Sequence, residues 1–128
     1  MKFLDANIIL RYVTNDKPAD SLKCERILKQ ETLFTNALVI AEVLWVLFSA
    51  YKFPKQKVID AIQRILNSSN IYLDDKELIL SALDIFEANN IDFIDAYNTA
   101  FMSRKGADII YSYDRHYDLI SKIKRIEP

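Results

Sequence analysis

Three carboxylates stand where helices and strands are predicted to begin or end, and a fourth lies within a predicted helix. Asp5 follows a first short apolar run, Glu42 lies within an apolar helix, Asp95 opens a later helix, and Asp114 follows the fourth apolar run. Ligand sites of parallel α/β sheets form beyond the carboxyl ends of the strands. Carboxylate oxygens are ligands that Mg²⁺ and Mn²⁺ prefer. Together, the four acids therefore predict a divalent-metal site.

Glu42 carries the strongest signal of the four. It is the only charged residue between Leu38 and Phe48. A carboxylate on a buried helix costs several kcal/mol unless it is paired or protonated. We therefore expect Glu42 to be buried and to bind a metal, with an ion pair to a basic residue such as Arg11 as the alternative.

The other acids each have an ordinary structural alternative. Asp5 can cap the helix that follows it, and Asp114 suits a turn. Asp92 and Asp95 fit the cap and the first turn of one helix. Taken singly, these acids are better explained by such roles, so the metal hypothesis depends on their occurring together. His116, beside Asp114, is expected to be a surface or supporting group, with proton transfer as the alternative.

Scarce residue types exclude several classes of site. A single glycine, Gly106, excludes a Walker loop and a dinucleotide fingerprint. One histidine and one cysteine, Cys24, cannot form a zinc site of the usual composition. Without a possible intrachain disulfide, and with an acid as early as Asp5, the chain is expected to be cytoplasmic rather than secreted. The apolar stretch 37–48 is too short to span a membrane.

Short apolar runs alternate with helical patterns along the chain, and this predicts one α/β domain over residues 1–128 with a mostly parallel sheet. The helix over 37–51 is apolar almost all round and is expected to be central. Asn36 is expected to cap it, and Gly106 to close the helix over 93–105. The predicted strands are Lys2–Leu4, Leu33–Thr35, Ile71–Leu73, Asp108–Ser112 and an edge strand Lys124–Ile126.

Charge is unevenly distributed, although the net charge is only −1. Residues 58–100 are acidic, and the segments on either side are mildly basic. This pattern fits carboxylates beside a phosphate-binding rim, and ordinary solvated charge explains it equally well. The basic residues considered for holding an RNA backbone are Arg11, Lys52, Arg104 and Arg115.

Four segments resemble the motifs of PIN domains, in the same order. Leu4–Arg11 resembles the opening motif, in which an aspartate ends the first strand and an asparagine follows two residues later. Ile40–Leu47 resembles the helix that carries a glutamate, and Asp92–Ala96 and Ser112–Tyr117 resemble the third and fourth acidic motifs. The resemblance covers the whole chain, and it is closest to the VapC-type toxins of toxin–antitoxin pairs.

The resemblance implies a three-layer α/β/α sandwich with a central, mostly parallel sheet of four or five strands. It also implies a Mg²⁺- or Mn²⁺-dependent endoribonuclease that forms homodimers and is inhibited by a small antitoxin. An inhibitory segment would place an Arg or Lys against the acids, beside a groove lined by residues such as Tyr12, Leu44 and Phe48. The implied metal ligands are Asp5, Glu42, Asp95 and Asp114. The supporting residues are Asn7, Ser112 and Asp92, and Asp118 has a less certain role.

Other proteins also place acids at the carboxyl edge of a sheet. A haloacid-dehalogenase-type phosphatase needs a second aspartate where Asn7 stands. A receiver domain needs a lysine late in the chain, near where Asp114 stands, although Asp74 imitates its middle acid. A non-catalytic PIN-like module that binds RNA or a protein partner remains the main alternative to a nuclease.

Overall fold

The computed structural model describes all 128 residues and contains six α-helices, five strands and one 3₁₀ helix. Its contacts group into an N-terminal unit, Met1–Lys76, and a C-terminal unit, Glu77–Pro128. The strands are β1 Lys2–Phe3, β2 Leu33–Thr35, β3 Ile71–Leu73, β4 Ile109–Tyr111 and β5 Lys124–Ile126. The α-helices are α1 Ala6–Thr14, α2 Pro18–Gln30, α3 Ala37–Ser49, α4 Lys55–Leu66, α5 Lys76–Ala88 and α6 Phe93–Lys105.

A parallel three-stranded sheet organises the N-terminal unit. Its order is β1-β2-β3, and Leu33 of the central strand aligns with Lys2 on one side and with Ile71 on the other. Leu33 and Ile71 are buried, as is Leu4 just beyond β1. The Thr35 hydroxyl donates a 2.8 Å hydrogen bond to the Leu4 carbonyl, which fixes the chain at the point where β1 ends. The carboxyl end of β1 is therefore anchored immediately before Asp5.

Local sequence signals explain how the helices of this unit begin and pack. Pro18 occupies the first turn of α2, where its missing N–H costs nothing. The Asn36 side chain accepts a 3.0 Å hydrogen bond from the Val39 N–H, so the predicted cap of α3 is confirmed. One apolar face of α4 is buried; it comprises Val58, Ile59, Ile62, Ile65 and Leu66.

The predicted central position of α3 is right for only one of its faces. One face is buried and comprises Val39, Ile40, Val43, Leu44 and Leu47. Leu38 and Trp45 lie on the other side and are 79% and 69% exposed. The helix also ends at Ser49 rather than at residue 51. Apolar composition had implied burial, but the neighbouring elements cover only the side facing the unit's own core.

The C-terminal unit contains α6, the parallel pair β4-β5 and a 3₁₀ helix, Arg115–Leu119. Gly106 ends α6 with a φ of 72°, a left-handed conformation that disfavours residues with a Cβ. The predicted edge strand Lys124–Ile126 is confirmed, and it pairs with β4. Strand pairing is parallel throughout both sheets, as predicted. None of the helices combines the length and apolar character needed to cross a bilayer.

Candidate metal centre

The first turn of α6 places Asp95 inside the C-terminal unit. Asp92 occupies the N-cap position, although its side chain makes no capping hydrogen bond. Asp95 is only 9% exposed, and Phe93 and Ala96, which precede and follow it in the sequence, are also buried. Because α6 turns this face inward, the carboxylate is largely shielded from water. Asp95 thus occupies the first-turn position that its sequence predicts, and it is also buried.

The buried Asp95 carboxylate is incompletely satisfied. Its Oδ2 atom has no hydrogen-bond partner. Burial raises the pKa of Asp95, and repulsion from Asp114 and Asp92 adds to the rise, while a hydrogen bond with Tyr117 and the nearby His116 oppose it. Mutual repulsion raises the pKa of carboxylates that are clustered without a cation. A cation at Oδ2 would remove both the missing contact and the repulsion.

The turn after β4 holds Asp114 rigidly. The Asp114 N–H donates to Ser112 Oγ at 2.9 Å, and Asp114 Oδ1 accepts from the His116 N–H at 2.9 Å. Asp114 thus caps the 3₁₀ helix, which agrees with the turn role considered for it. This role leaves Oδ2 of Asp114 outside the cap, and 42% of the side chain is exposed. Capping and cation binding are therefore compatible.

Arg125 on β5 stabilises the same turn through hydrogen bonds. Its Nη1 donates to the Ser112 carbonyl at 3.0 Å, and Nε and Nη2 donate to the two carboxylate oxygens of Asp118 at 3.0 and 3.2 Å. The hydrogen bond from Arg125 lowers the pKa of Asp118. This bidentate geometry suits a guanidinium. The uncertain role of Asp118 is therefore a structural one in this unit, and the bracing contribution of Arg125 was not recognised in the sequence.

His116 completes a cluster of ligand-type atoms. Its Nδ1 lies 3.0 Å from Asp114 Oδ1 and 3.9 Å from Asp95 Oδ2. One ligand atom from each of these three residues falls within 4.8 Å of the other two. Two carboxylates and an imidazole are suitable donors for a divalent cation. From the sequence His116 was expected to be a surface or supporting group, although its position two residues after Asp114 was a usable signal.

Asp5 and Asn7 lie at the start of α1 in the N-terminal unit. Asp5 has the extended backbone of an N-cap residue, but its side chain makes no capping hydrogen bond. Both side chains are exposed. Asp5 therefore takes the N-cap position of α1, as the alternative predicted, but its carboxylate does not cap the helix. The carboxylate remains accessible to a ligand.

Glu42 is exposed, so the prediction that it is buried is wrong. It shares the outer side of α3 with Leu38 and Trp45, which lie four residues before it and three after it. The ion pair considered for it is also absent, because Arg11 Nη1 instead lies 3.6 Å from Asp16 Oδ1. Burial therefore no longer argues for a metal at Glu42, and its assignment depends on the motif.

The predicted site residues thus fall into two groups. The structure brings together Asp95, Asp114 and Ser112, with Asp92 close enough to perturb Asp95. Asp5, Asn7 and Glu42 do not belong to this cluster. They are presented on α1 and α3 of the N-terminal unit.

The chain is similar in sequence and structure to known proteins. Over its whole length the chain is 22% identical to the VapC ribonuclease of Aquifex aeolicus, of which it covers 97%. It also resembles the crystal structure of Mycobacterium tuberculosis VapC20, a Sarcin-Ricin loop cleaving toxin, with 17% identity, a TM-score of 0.46 and complete coverage of both chains. The model of the PIN domain family matches residues 2–123 and confirms the predicted fold class. The chain belongs to the PIN domain family.

Proposed function

We propose that this protein is a divalent-metal-dependent endoribonuclease and the toxin of a toxin–antitoxin pair. Membership of the PIN domain family and similarity to a protein named VapC ribonuclease support this reaction. The observation that carries the metal requirement is the buried, unpartnered Oδ2 of Asp95, which lies beside Asp114 and His116. A buried carboxylate oxygen without a partner is costly unless a cation binds it.

The proposed metal ligands are the four acids of the motifs. Asp95 and Asp114 would hold Mg²⁺ or Mn²⁺ from the C-terminal unit, and their clustering supports this role. Asp5 and Glu42 are also proposed as ligands, on the strength of residue type and motif order. The proposed supporting residues are Asn7, Ser112 and Asp92. The PIN family model spans both units, which supports treating residues 1–128 as one functional domain.

The chemistry follows from these assignments. When bound, the cation supplies positive charge that polarises a phosphodiester and lowers the pKa of a water molecule. The protein's own contribution is to hold its carboxylates in fixed positions. Ser112 and the 3₁₀ helix fix Asp114, and burial on α6 restrains Asp95. Such prior positioning avoids reorganisation during the reaction.

Cleavage of a mixed RNA panel tests this function. The wild-type protein should cut at least one RNA with Mn²⁺ or Mg²⁺ and lose activity with a chelator. Asp114→Asn keeps the capping shape but loses the charge, so it should be inactive. Asp84→Asn removes an exposed carboxylate of the same unit and serves as the matched control. RNA or protein binding without any metal-dependent cleavage would instead favour the non-catalytic module.

A homodimer is proposed from the outer surface of α3. The sequence places four aromatic residues in this helix and in the segment that follows it, namely Trp45, Phe48, Tyr51 and Phe53. Trp45 is 69% exposed, Tyr51 is 41% exposed, and Leu38 adds a further exposed side chain. A two-fold dimer would bury such a patch symmetrically. Light scattering at micromolar concentration should give a dimer that Trp45→Ser weakens, and a wild-type monomer would contradict the proposal.

The proposed antitoxin would insert an Arg or Lys against the acidic cluster. The unpartnered Oδ2 of Asp95 supports this, since a cationic side chain would satisfy it as a metal does. The predicted apolar groove needs correction, because Leu44 is completely buried and cannot line it. A co-purifying partner should block RNA cleavage and compete with Mn²⁺. Equal partner binding with and without saturating Mn²⁺, and unimpaired cleavage, would rule out site occlusion.

A further inference from the structure

Tyr117 links the 3₁₀ helix to the buried acid of α6. Its side chain is only 4% exposed, and its hydroxyl hydrogen-bonds the Asp95 carboxyl. The same hydroxyl accepts a 3.0 Å hydrogen bond from Asn98 Nδ2. Asn98 lies three residues after Asp95, so both project from neighbouring positions on α6. The three side chains form a chain of hydrogen bonds that ends on the Asp95 carboxyl.

The chain of hydrogen bonds has a direction. A phenol hydroxyl has one proton and can also accept a hydrogen bond. Because the Asn98 amide donates to the Tyr117 oxygen, the Tyr117 proton is free to be donated to Asp95. Asn98 therefore orients the hydroxyl, and Tyr117 restrains the carboxylate. The restraint still leaves Asp95 Oδ2 unpartnered beside Asp114 and His116.

We propose that Tyr117, oriented by Asn98, is a positioning residue that fixes the Asp95 carboxylate for binding a divalent cation. This inference rests on the proposed metal-dependent function. A phenylalanine would fill the same buried space, so packing alone does not account for the hydroxyl. Groups that hold a ligating side chain in place typically contribute about 10- to 100-fold to metal affinity.

Tyr117→Phe is the direct test, with Mn²⁺ affinity measured by calorimetry on the full-length protein. It removes the hydroxyl and keeps the ring, so Mn²⁺ should bind about 10- to 100-fold more weakly. Tyr111→Phe is the matched control, because Tyr111 lies in the same unit with its side chain 75% exposed. Thermal unfolding without metal is measured in parallel. A merely structural hydroxyl would lower the melting temperature and leave the Mn²⁺ affinity of the folded protein unchanged, which would overturn the proposal.

Asn98→Leu tests whether the asparagine acts through Tyr117. The single variant should weaken Mn²⁺ binding less than Tyr117→Phe does, because the hydroxyl can still reach Asp95. In the Tyr117→Phe background, Asn98→Leu should have no further effect. Fully additive losses would show that Asn98 acts independently and would overturn its orienting role.

Loss of the metal site and loss of the positioning role give different results. Failure of the wild-type protein to bind Mn²⁺ would overturn the proposed function, and the positioning role with it. Wild-type Mn²⁺ binding together with an unchanged affinity of Tyr117→Phe would overturn the positioning role alone.

Discussion

The acids of the two units differ in how the chain holds them. Asp95 is buried and hydrogen-bonded by Tyr117, and Asp114 is fixed by Ser112 and the 3₁₀ helix. Asp5 and Glu42 are exposed, and the Asp5 side chain makes no capping contact. The C-terminal unit therefore holds its acids through neighbouring groups and buries one of them, whereas the N-terminal unit leaves its acids exposed.

Holding a carboxylate in these two ways has different effects on the free energy of folding. Burying a charge that has no cation destabilises the protein, whereas an exposed carboxylate is stabilised by water. If all four acids bind the same kind of ion, removing any of their charges should damage function similarly. Only removal of the Asp95 charge should also relieve a strain in the metal-free protein.

The largest expected effect is on RNA cleavage. Asp95→Asn and Glu42→Gln each preserve side-chain shape and remove a ligand charge, so each should lower the single-turnover rate more than about 100-fold, equivalent to several kcal/mol. Rates would be measured with saturating Mn²⁺, and Asp84→Asn should retain wild-type activity. Full metal-dependent activity in Glu42→Gln would remove Glu42 from the proposed ligand set.

The second effect concerns stability against pH without metal. The folded-state pKa of Asp95 is raised above its ordinary value of 3.8, so the folded protein binds more protons than the unfolded chain just above that pH. The free energy of unfolding should then fall as pH rises through this window. Urea titrations should show Asp95→Asn increasingly more stable than wild type from about pH 4 upward. Saturating Mn²⁺ should abolish this advantage.

Glu42→Gln is the comparison for that series. Glu42 is exposed, so the amide should change the free energy of unfolding little at any of these pH values. An equal pH-dependent gain in both variants would contradict the contrast between a buried and an exposed acid.

A smaller effect, on thermal stability, is expected from Arg125, which hydrogen-bonds Ser112 and Asp118 near Asp114. Arg125→Lys keeps a positive charge but cannot make the paired hydrogen bonds to Asp118 together with the bond to Ser112. Its melting temperature should fall on the order of 5 °C. Arg115→Lys, which alters an exposed residue of the same turn, should leave the melting temperature near that of wild type.

Local signals made most of the fold predictable. The apolar runs that alternate with helical patterns predicted the strands. Asn36, Pro18 and Gly106 mark helix ends, because the geometry of a helix end depends mainly on residues nearby in the sequence. The exposed side of α3 was not predictable in this way. Burial depends on which distant elements cover a helix, and apolar composition alone cannot distinguish a core face from a surface patch.

The site was predictable to a similar degree. The ordered acidic motifs identified Asp95 and Asp114, which the structure brings together. The network around them depends on contacts between residues far apart in sequence, such as Asn98 with Tyr117 and Arg125 with Ser112. No local pattern specifies such pairs, because each residue type is ordinary where it stands.

Calorimetric titration with Mn²⁺ is the most direct test of the four-acid metal centre. The wild-type protein should bind Mn²⁺, and Asp84→Asn should bind it equally well. The double variant Asp5→Asn with Asp95→Asn removes one proposed ligand from each unit and should show no measurable binding, while remaining folded by circular dichroism. Undiminished Mn²⁺ binding by the double variant would contradict the assignment of the metal centre to these acids.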